Sequence, residues 1–302
     1  MISLIALDLD GTLLNSALKV SDRNGEAVRR ALDSGLKVVL ATTRWYLLAK
    51  RTADRLGIDT PLVCNNGAIV KRPADGSEML HLRLDRDLAR EVAALADERR
   101  WETFTAIEDA TFMRPRPGII AEKLPAGLRL AERHADEIKR GEPTSVLIFG
   151  EDAVNETEAT FLPASKSRAN FSLNRPHGFP HYVVLTHPQA DKCAALELAC
   201  QELGVPMAEV MAAPEVYKGT VNTTHIRIAD LFREAVRENS PAMIVVHNHP
   251  SGDPTPSTDD VAMTKLVREA GSLLEVDVLD HVVLARKGFV SLRERHLGFP
   301  EG

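Results

Sequence analysis

The sequence predicts an α/β protein: a doubly wound parallel sheet, an α+β module inserted into it, and a shorter second α/β unit at the C-terminal end. Three observations lead there. Residues 2–7 are apolar apart from Ser3 until Asp8, as in a central parallel strand covered on both faces. Strand-like and helix-like segments then alternate, the pattern of a sheet flanked by helices with its ligands at the carboxyl ends of the strands. A second buried run, residues 242–246, ends at His247, well after that alternation has closed.

The elements follow in order. After the first strand, Ser21 is a plausible N-cap for a helix whose apolar stripe is Ala27, Val28, Ala31 and Leu32, and Gly35 stops it. Residues 37–41 form a second buried strand that runs into Thr42-Thr43-Arg44, and a helix over 45–56 leads to a strand at 61–64. Near residue 80 the character changes. Leu88, Val92 and Leu95 mark an amphipathic helix, residues 103–113 read as a hairpin turning at Glu108-Asp109, and 145–149 and 181–185 read as further strands. The stretch between those two strands reads as polar and irregular. The α/β pattern resumes with a helix at 190–203 and a short strand at 210–213, which suits the end of the first sheet or the start of the next. Past Pro214 come a strand with Val216 and Tyr217, a helix near 227–238, the run 242–246, a helix at 258–270, and closing strands at 276–279 and 281–285. No repeat or low-complexity linker separates the two parts.

Composition narrows the class. With 302 residues, 44% hydrophobic and 26% charged, the chain has the make-up of a soluble globular protein of one large or two ordinary domains. Its net charge of −6 supplies no general attraction for nucleic acid, leaving only a local basic patch as a route to one. Three cysteines in no motif fit a reducing cytoplasm. No apolar run reaches the ~20 residues that span a bilayer. The opening apolar run lacks a basic leader and meets Asp8 at once, so it reads as a strand and not as a signal peptide.

The first chemical signature is Asp8-Leu9-Asp10-Gly11-Thr12-Leu13-Leu14. Side chains alternate along a strand, so Asp8 and Asp10 start on the same side. One carboxylate can attack phosphorus while the other handles the leaving-group proton, and a cation offsets their charge.

On these residues, positions 1 to about 215 resemble a haloacid dehalogenase-type phosphatase of the Cof-like group, in which a cap is inserted into a Rossmann-like core. The resemblance implies a core of residues 1–81 and 187–214 and a cap of residues 82–186. It implies Asp8 as nucleophile and Mg2+ ligand, and Asp10 as general acid/base and a second ligand of the same ion. It further implies Thr42 as the residue that holds the phosphoryl group, Asn66 and Gly67 as a loop near the substrate, and Lys192 as the cation that offsets nucleophile and phosphate. A small phosphorylated metabolite is the implied substrate. Two positions depart from the family. Thr43 stands where a glycine is usual, and Glu215 stands where the first aspartate of the last motif should complete the magnesium shell, with no Asn-Asp after it. The extra methylene of Glu215 moves its oxygens by ~1.5 Å in a site with strict octahedral demands, so weakened phosphatase activity is expected.

The second signature is His247-Asn248-His249-Pro250 followed by Ser257 and Asp260. Two histidines at the end of a buried strand and an aspartate on the first turn of the next helix leave one position open, the pattern of a catalytic Zn2+ site. Such an ion lowers the pKa of water towards ~7 and supplies a nucleophile. Residues 257–260 also read as a helix capping box.

Residues 215–302 resemble the C-terminal part of RadC-like proteins, members of the JAB1/MPN (JAMM) metalloprotease-like superfamily. The resemblance rests on residues 217–222, 247–252, Pro256, Ser257, Asp260, Asp280, His281, Ser291 and Leu292. It implies zinc at His247, His249 and Asp260, Ser257 as an oxyanion stabiliser, and a peptide or isopeptide substrate. It also implies a glutamate base from an earlier strand and helix that this chain replaces with the phosphatase-like segment; Glu215 and Glu234 lie nearby but do not match that position. The chain therefore reads as a cytoplasmic metal-dependent hydrolase with two sites. A metal-binding or interaction protein without catalysis, and a DNA-associated factor, are the alternatives.

Overall fold

The computed structural model describes the chain except for residues 1, 11, 16, 116–123, 126, 166, 175–179, 214–226, 238–239, 250 and 301–302. It divides into two compact units, residues 1–215 and 216–302.

In the first unit, β1 (Leu4–Leu7) leads to α1 (Asp22–Asp33), where the Ser21 hydroxyl accepts from the Asn24 amide as an N-cap. Next come β2 (Lys37–Leu40), α2 (Tyr46–Leu56), β3 (Leu62–Cys64), β4 (Ile69–Lys71) and β5 (Glu78–His81). The central sheet has the order β12-β1-β2, where β12 (Val210–Ala213) is the last strand of the unit. All three strands run parallel, with Leu7 in register with Leu40 on one side and Ala213 on the other. A parallel bridge from Ala41 to Val63 extends this sheet to β3, which continues as an antiparallel β3-β4-β5 ribbon that the apolar pattern did not announce. Strand 210–213, which the sequence left free to serve either part, thus closes the first sheet. The carboxyl ends of β1 and β2 lie side by side, and they deliver Asp8 and Thr42 to one edge.

The inserted segment follows β5. It comprises α3 (Arg86–Arg99), β6 (Glu102–Ile107), β7 (Ala110–Met113), β8 (Leu128–Leu130), α4 (His134–Ile138), β9 (Pro143–Phe149), α5 (Glu151–Ser165), β10 (Asn170–Asn174) and β11 (Tyr182–Thr186). Its strands form one sheet in the order β10-β11-β9-β6-β7-β8. Leu88, Val92, Val146, Ile148, Val154, Val183 and Leu185 make its core, burying one sheet face against α3 and α5. Phe104, Phe149 and Tyr182 occupy the opposite face. Here the structure corrects the sequence reading. Residues 151–174 are not irregular but hold a 15-residue helix and a strand. The helix is mostly polar, carries Pro163, and buries only Ala153, Val154, Thr157 and Ser165, so it offers little apolar stripe to read. The chain returns to the first sheet through α6 (Lys192–Leu203) and β12.

The second unit contains α7 (Ile228–Arg237), β13 (Ala242–Asn248), α8 (Thr258–Leu274), β14 (Asp277–Ala285) and β15 (Gly288–Ser291). β13 pairs parallel with β14, and β15 antiparallel with β14. Leu231, Phe232, Val245, Val267 and Val276 fill the space between this sheet and its helices. The two expected closing strands are one: Asp280 sits inside β14, where its carboxylate accepts from Ser291 Oγ and the Arg293 amide and so ties down the segment after β15. Among the described residues no helix is long and apolar enough to cross a membrane.

Candidate functional site

Asp8 leaves the end of β1 half-buried. Its Oδ1 accepts from the Leu9 amide at 2.8 Å, and its Oδ2 lies 3.3 Å from Lys192 Nζ. Lys192 is the first residue of α6, held there because the Asp191 carboxylate caps the helix through the Cys193 and Ala194 amides. Asp10 faces a different cation: Arg44 donates to its Oδ2 through Nε at 2.7 Å and to its Oδ1 through Nη2 at 2.5 Å.

Thr42, fully buried at the end of β2, accepts from the Arg44 amide through Oγ1. Its carbonyl receives the Asn66 amide, and the Arg44 carbonyl receives the Asn65 amide. These bonds lash the Thr42–Arg44 turn to a loop in which Asn65, Asn66 and Gly67 all have positive φ, at 50°, 57° and 88°. Asparagine tolerates that region better than most residues. Gly67 is needed for a second reason: a Cβ there would lie 2.2 Å from the Asp191 carbonyl oxygen. The loop is thus seated against the peptide that starts α6 and presents Lys192. Thr43 has no positive φ, so a side chain is accommodated where the resembled family has glycine.

The inserted sheet reaches this edge. Trp45 stacks on Phe104 at 6.1 Å, Phe104 meets Phe149 edge-on at 6.0 Å, and Phe149 packs on Tyr182 at 5.5 Å. Burial raises the Tyr182 phenol pKa, and the charges of Asp10 and Asp8 raise it further. Asn65 Nδ2 also donates to Ser145 Oγ of the inserted sheet.

The described residues alone do not make a magnesium site: Asp8 keeps an oxygen for a cation, each Asp10 oxygen already accepts from Arg44, and no cluster of three potential ligands forms here among them. Glu215 lies outside them, as do Gly11, Pro250 and residues 217–222.

In the second unit His247, His249 and Asp260 do converge, with one donor atom from each lying within 4.8 Å of the others. His247 Nε2 is 3.1 Å from Asp260 Oδ1, and His249 Nε2 is 3.3 Å from Asp260 Oδ2. Tetrahedral bonds of about 2.0 Å separate neighbouring ligands by about 3.3 Å. Hydrogen bonds decide which atoms point inward. His249 Nδ1 faces the Asp253 carbonyl at 3.0 Å, and a carbonyl only accepts, so Nδ1 carries the proton and Nε2 the lone pair. His247 Nε2 is buried and has no hydrogen-bond partner. Its neutral form is favoured, since burial lowers the His247 pKa against the opposing pull of Asp260. Neutral imidazole lone pairs set against carboxylate oxygens repel unless a cation lies between them. The donor set fits a metal ion.

Ser257 is the N-cap of α8 and completes a capping box with Asp260. Its amide and its hydroxyl both donate to Asp260 Oδ2, so the capping box and the His247–His249–Asp260 cluster share one carboxylate. Burial raises the Asp260 pKa, yet these bonds and the two histidines bring it below the usual carboxylate range. Glu234 lies in α7, with its side chain outside the described set.

Four residues escaped the sequence reading. Arg44 follows Thr42 by two and had no assigned role, and Tyr182 gave no signal. Thr264 stands four residues after Asp260, on the same helix face, which was a usable clue. His281 carried resemblance but no function.

A family model described as haloacid dehalogenase-like hydrolase matches residues 5–213, and one described as the RadC-like JAB domain matches residues 206–297. Among curated proteins, a UPF0758 protein of Roseiflexus sp. (strain RS-1) is 57% identical over 84 residues, which are 28% of this chain and 36% of that protein. The chain therefore spans about a third of the length of the curated relatives it matches. Among solved structures, a haloacid dehalogenase-like hydrolase from B. subtilis aligns with a TM-score of 0.58 at 22% identity, covering 71% of this chain and 83% of that one. Another from Bacteroides thetaiotaomicron aligns with a TM-score of 0.59 at 21% identity, covering 71% and 82%. At such identities the structures speak for the fold.

Proposed function

The chain belongs to the haloacid dehalogenase-like hydrolases, and we propose that its first unit hydrolyses a small phosphorylated metabolite with Asp8 as nucleophile. The supporting observation is the Asp8–Lys192 pair, 3.3 Å apart at the strand end. An Asp8 oxygen attacks phosphorus, the ester P–O bond breaks, and the leaving oxygen takes a proton. Water then cleaves the phosphoaspartyl bond, returning the carboxylate and releasing phosphate. Lys192 offsets the charge gathered by nucleophile and phosphoryl group. Thr42 orients the phosphoryl group, Asn66 and Gly67 border it, and Asp10 exchanges the protons. The aromatic row from Trp45 to Tyr182 keeps water from the leaving-group side. In this reading magnesium would be held by Asp8 with Glu215 as a further ligand, and would offset the charge of the nucleophile and the phosphoryl group.

A second reading concerns the C-terminal unit: His247, His249 and Asp260 bind zinc. Bound there, the ion supplies Lewis acidity suited to a peptide or isopeptide carbonyl, and Ser257 holds Asp260 in place. The inward lone pairs of the two histidines support this reading.

One experiment separates the two. Zinc content and magnesium-dependent hydrolysis of 4-nitrophenyl phosphate are measured on wild type, Asp8→Asn and His247→Ala. Turnover lost only in Asp8→Asn, with one zinc lost only in His247→Ala, supports both readings. Turnover that survives Asp8→Asn rejects the nucleophile, and zinc retained by His247→Ala rejects the metal site.

A further inference from the structure

Behind the metal cluster lies a second row of polar groups. His281 in β14 and Thr264 in α8 are both buried, 4% and 0% exposed. His247 Nδ1 is 2.8 Å from His281 Nε2, and His281 Nδ1 is 2.7 Å from Thr264 Oγ1. Thr264 Oγ1 is 2.6 Å from the carbonyl oxygen of Asp260. Such contacts between imidazoles and a hydroxyl are ambiguous one by one, because each group can donate or accept.

The far end of the row removes the ambiguity. A carbonyl oxygen can only accept, so the one hydroxyl proton of Thr264 goes to Asp260. Thr264 then has only lone pairs for His281, whose Nδ1 must carry the proton it donates. A neutral His281 with its proton on Nδ1 has a bare Nε2. That nitrogen must accept from His247, which therefore holds its proton on Nδ1 and keeps Nε2 free. The row begins at the main-chain carbonyl of Asp260 and ends at a nitrogen 3.1 Å from the side chain of the same residue.

We infer that Thr264 and His281 are positioning residues, which lock His247 into the Nδ1-protonated tautomer and so aim its Nε2 lone pair at the metal position. The inference rests on the metal reading of His247, His249 and Asp260. It assigns a purpose to two buried polar side chains in a small core where apolar residues would pack at lower cost. Groups behind a ligating histidine govern affinity through its tautomer and orientation, and losing one weakens metal binding by about 10–100-fold. Ser257 and Asp253 serve the other two ligands; Thr264 and His281 serve this one.

The test uses the full-length chain with 15N-labelled histidines. Long-range proton–nitrogen spectra of the metal-free protein read the tautomers directly, and cobalt(II) titration followed by its visible absorption reads affinity. Protons on Nδ1 of both His247 and His281, with cobalt affinity about 10–100-fold lower in Thr264→Val and preserved in Thr264→Ser, are the expected results. A proton on His247 Nε2, or a Thr264→Val that binds cobalt like the wild type, overturns the inference. If Thr264→Val does not fold, His281→Gln takes its place in the titration, and the wild-type spectra still decide the tautomer. A wild type that takes up no cobalt while showing the expected tautomers rejects the metal reading and leaves the row without a positioning role.

Discussion

Arg44 grips Asp10 with two nitrogens, at 2.7 and 2.5 Å, so that both carboxylate oxygens accept from one guanidinium. Each oxygen keeps a second lone pair, so the grip fixes the direction of the carboxylate without filling it. We therefore expect Arg44→Met to lower aryl phosphate turnover by about 10–100-fold through loss of orientation, measured at saturating substrate. A variant that turns over like the wild type would remove the grip from the mechanism.

Gly67→Ala is expected to unfold more easily than wild type. The new methyl would stand 2.2 Å from the Asp191 carbonyl oxygen, at a φ of 88° that side chains rarely adopt. The loss should be roughly 2–4 kcal/mol in denaturant unfolding. Aryl phosphatase activity should fall further than stability alone explains, since the displaced peptide carries Lys192.

Stability should also fall in mild acid on account of His134. This side chain is fully buried, with Nδ1 at 3.0 Å from Thr105 Oγ1, and burial pushes its pKa down from 6.5 to about 4. Below pH 6.5 the unfolded chain gains a proton that the folded chain refuses until about pH 4. The contribution is intact above pH 6.5 and drains away as pH falls towards 4, reaching about 3 kcal/mol. Unfolding curves between pH 7 and pH 4 should be flatter in His134→Gln by about that amount.

Ser257→Ala should act twice. Loss of the N-cap costs the helix about 1 kcal/mol, visible in thermal unfolding of the metal-free protein. Removing the hydroxyl that donates to Asp260 Oδ2 should also lower cobalt(II) affinity by about tenfold. A variant that loses stability but not affinity would make Ser257 a cap and nothing more.

The parts legible in the sequence were those written in short range. The apolar run into Asp8, the cap at Ser21, and the two histidines at the end of an apolar strand each need only neighbouring residues, although that strand buries only Val245 and leaves Ile244 and Val246 exposed. The convergence of His247, His249 and Asp260 was readable because all three fall within one strand–helix connection. What stayed hidden depends on distant partners. Arg44 meets Asp10 across 34 positions, and Tyr182 approaches the aspartates from another sheet. The helix at 151–165 was missed because its buried face is narrow and its surface polar. Asp280 split one strand into two on paper, since an acid inside a strand reads as a turn until Ser291 and Arg293 are found bonded to it.

The strand at 210–213 completes the first sheet beside β1, yet it lies where the two family models overlap, residues 206–213. Eight positions thus match both models, while their backbone hydrogen bonds belong to the first unit. The C-terminal unit cannot be lifted out along its own family boundary without unzipping its neighbour.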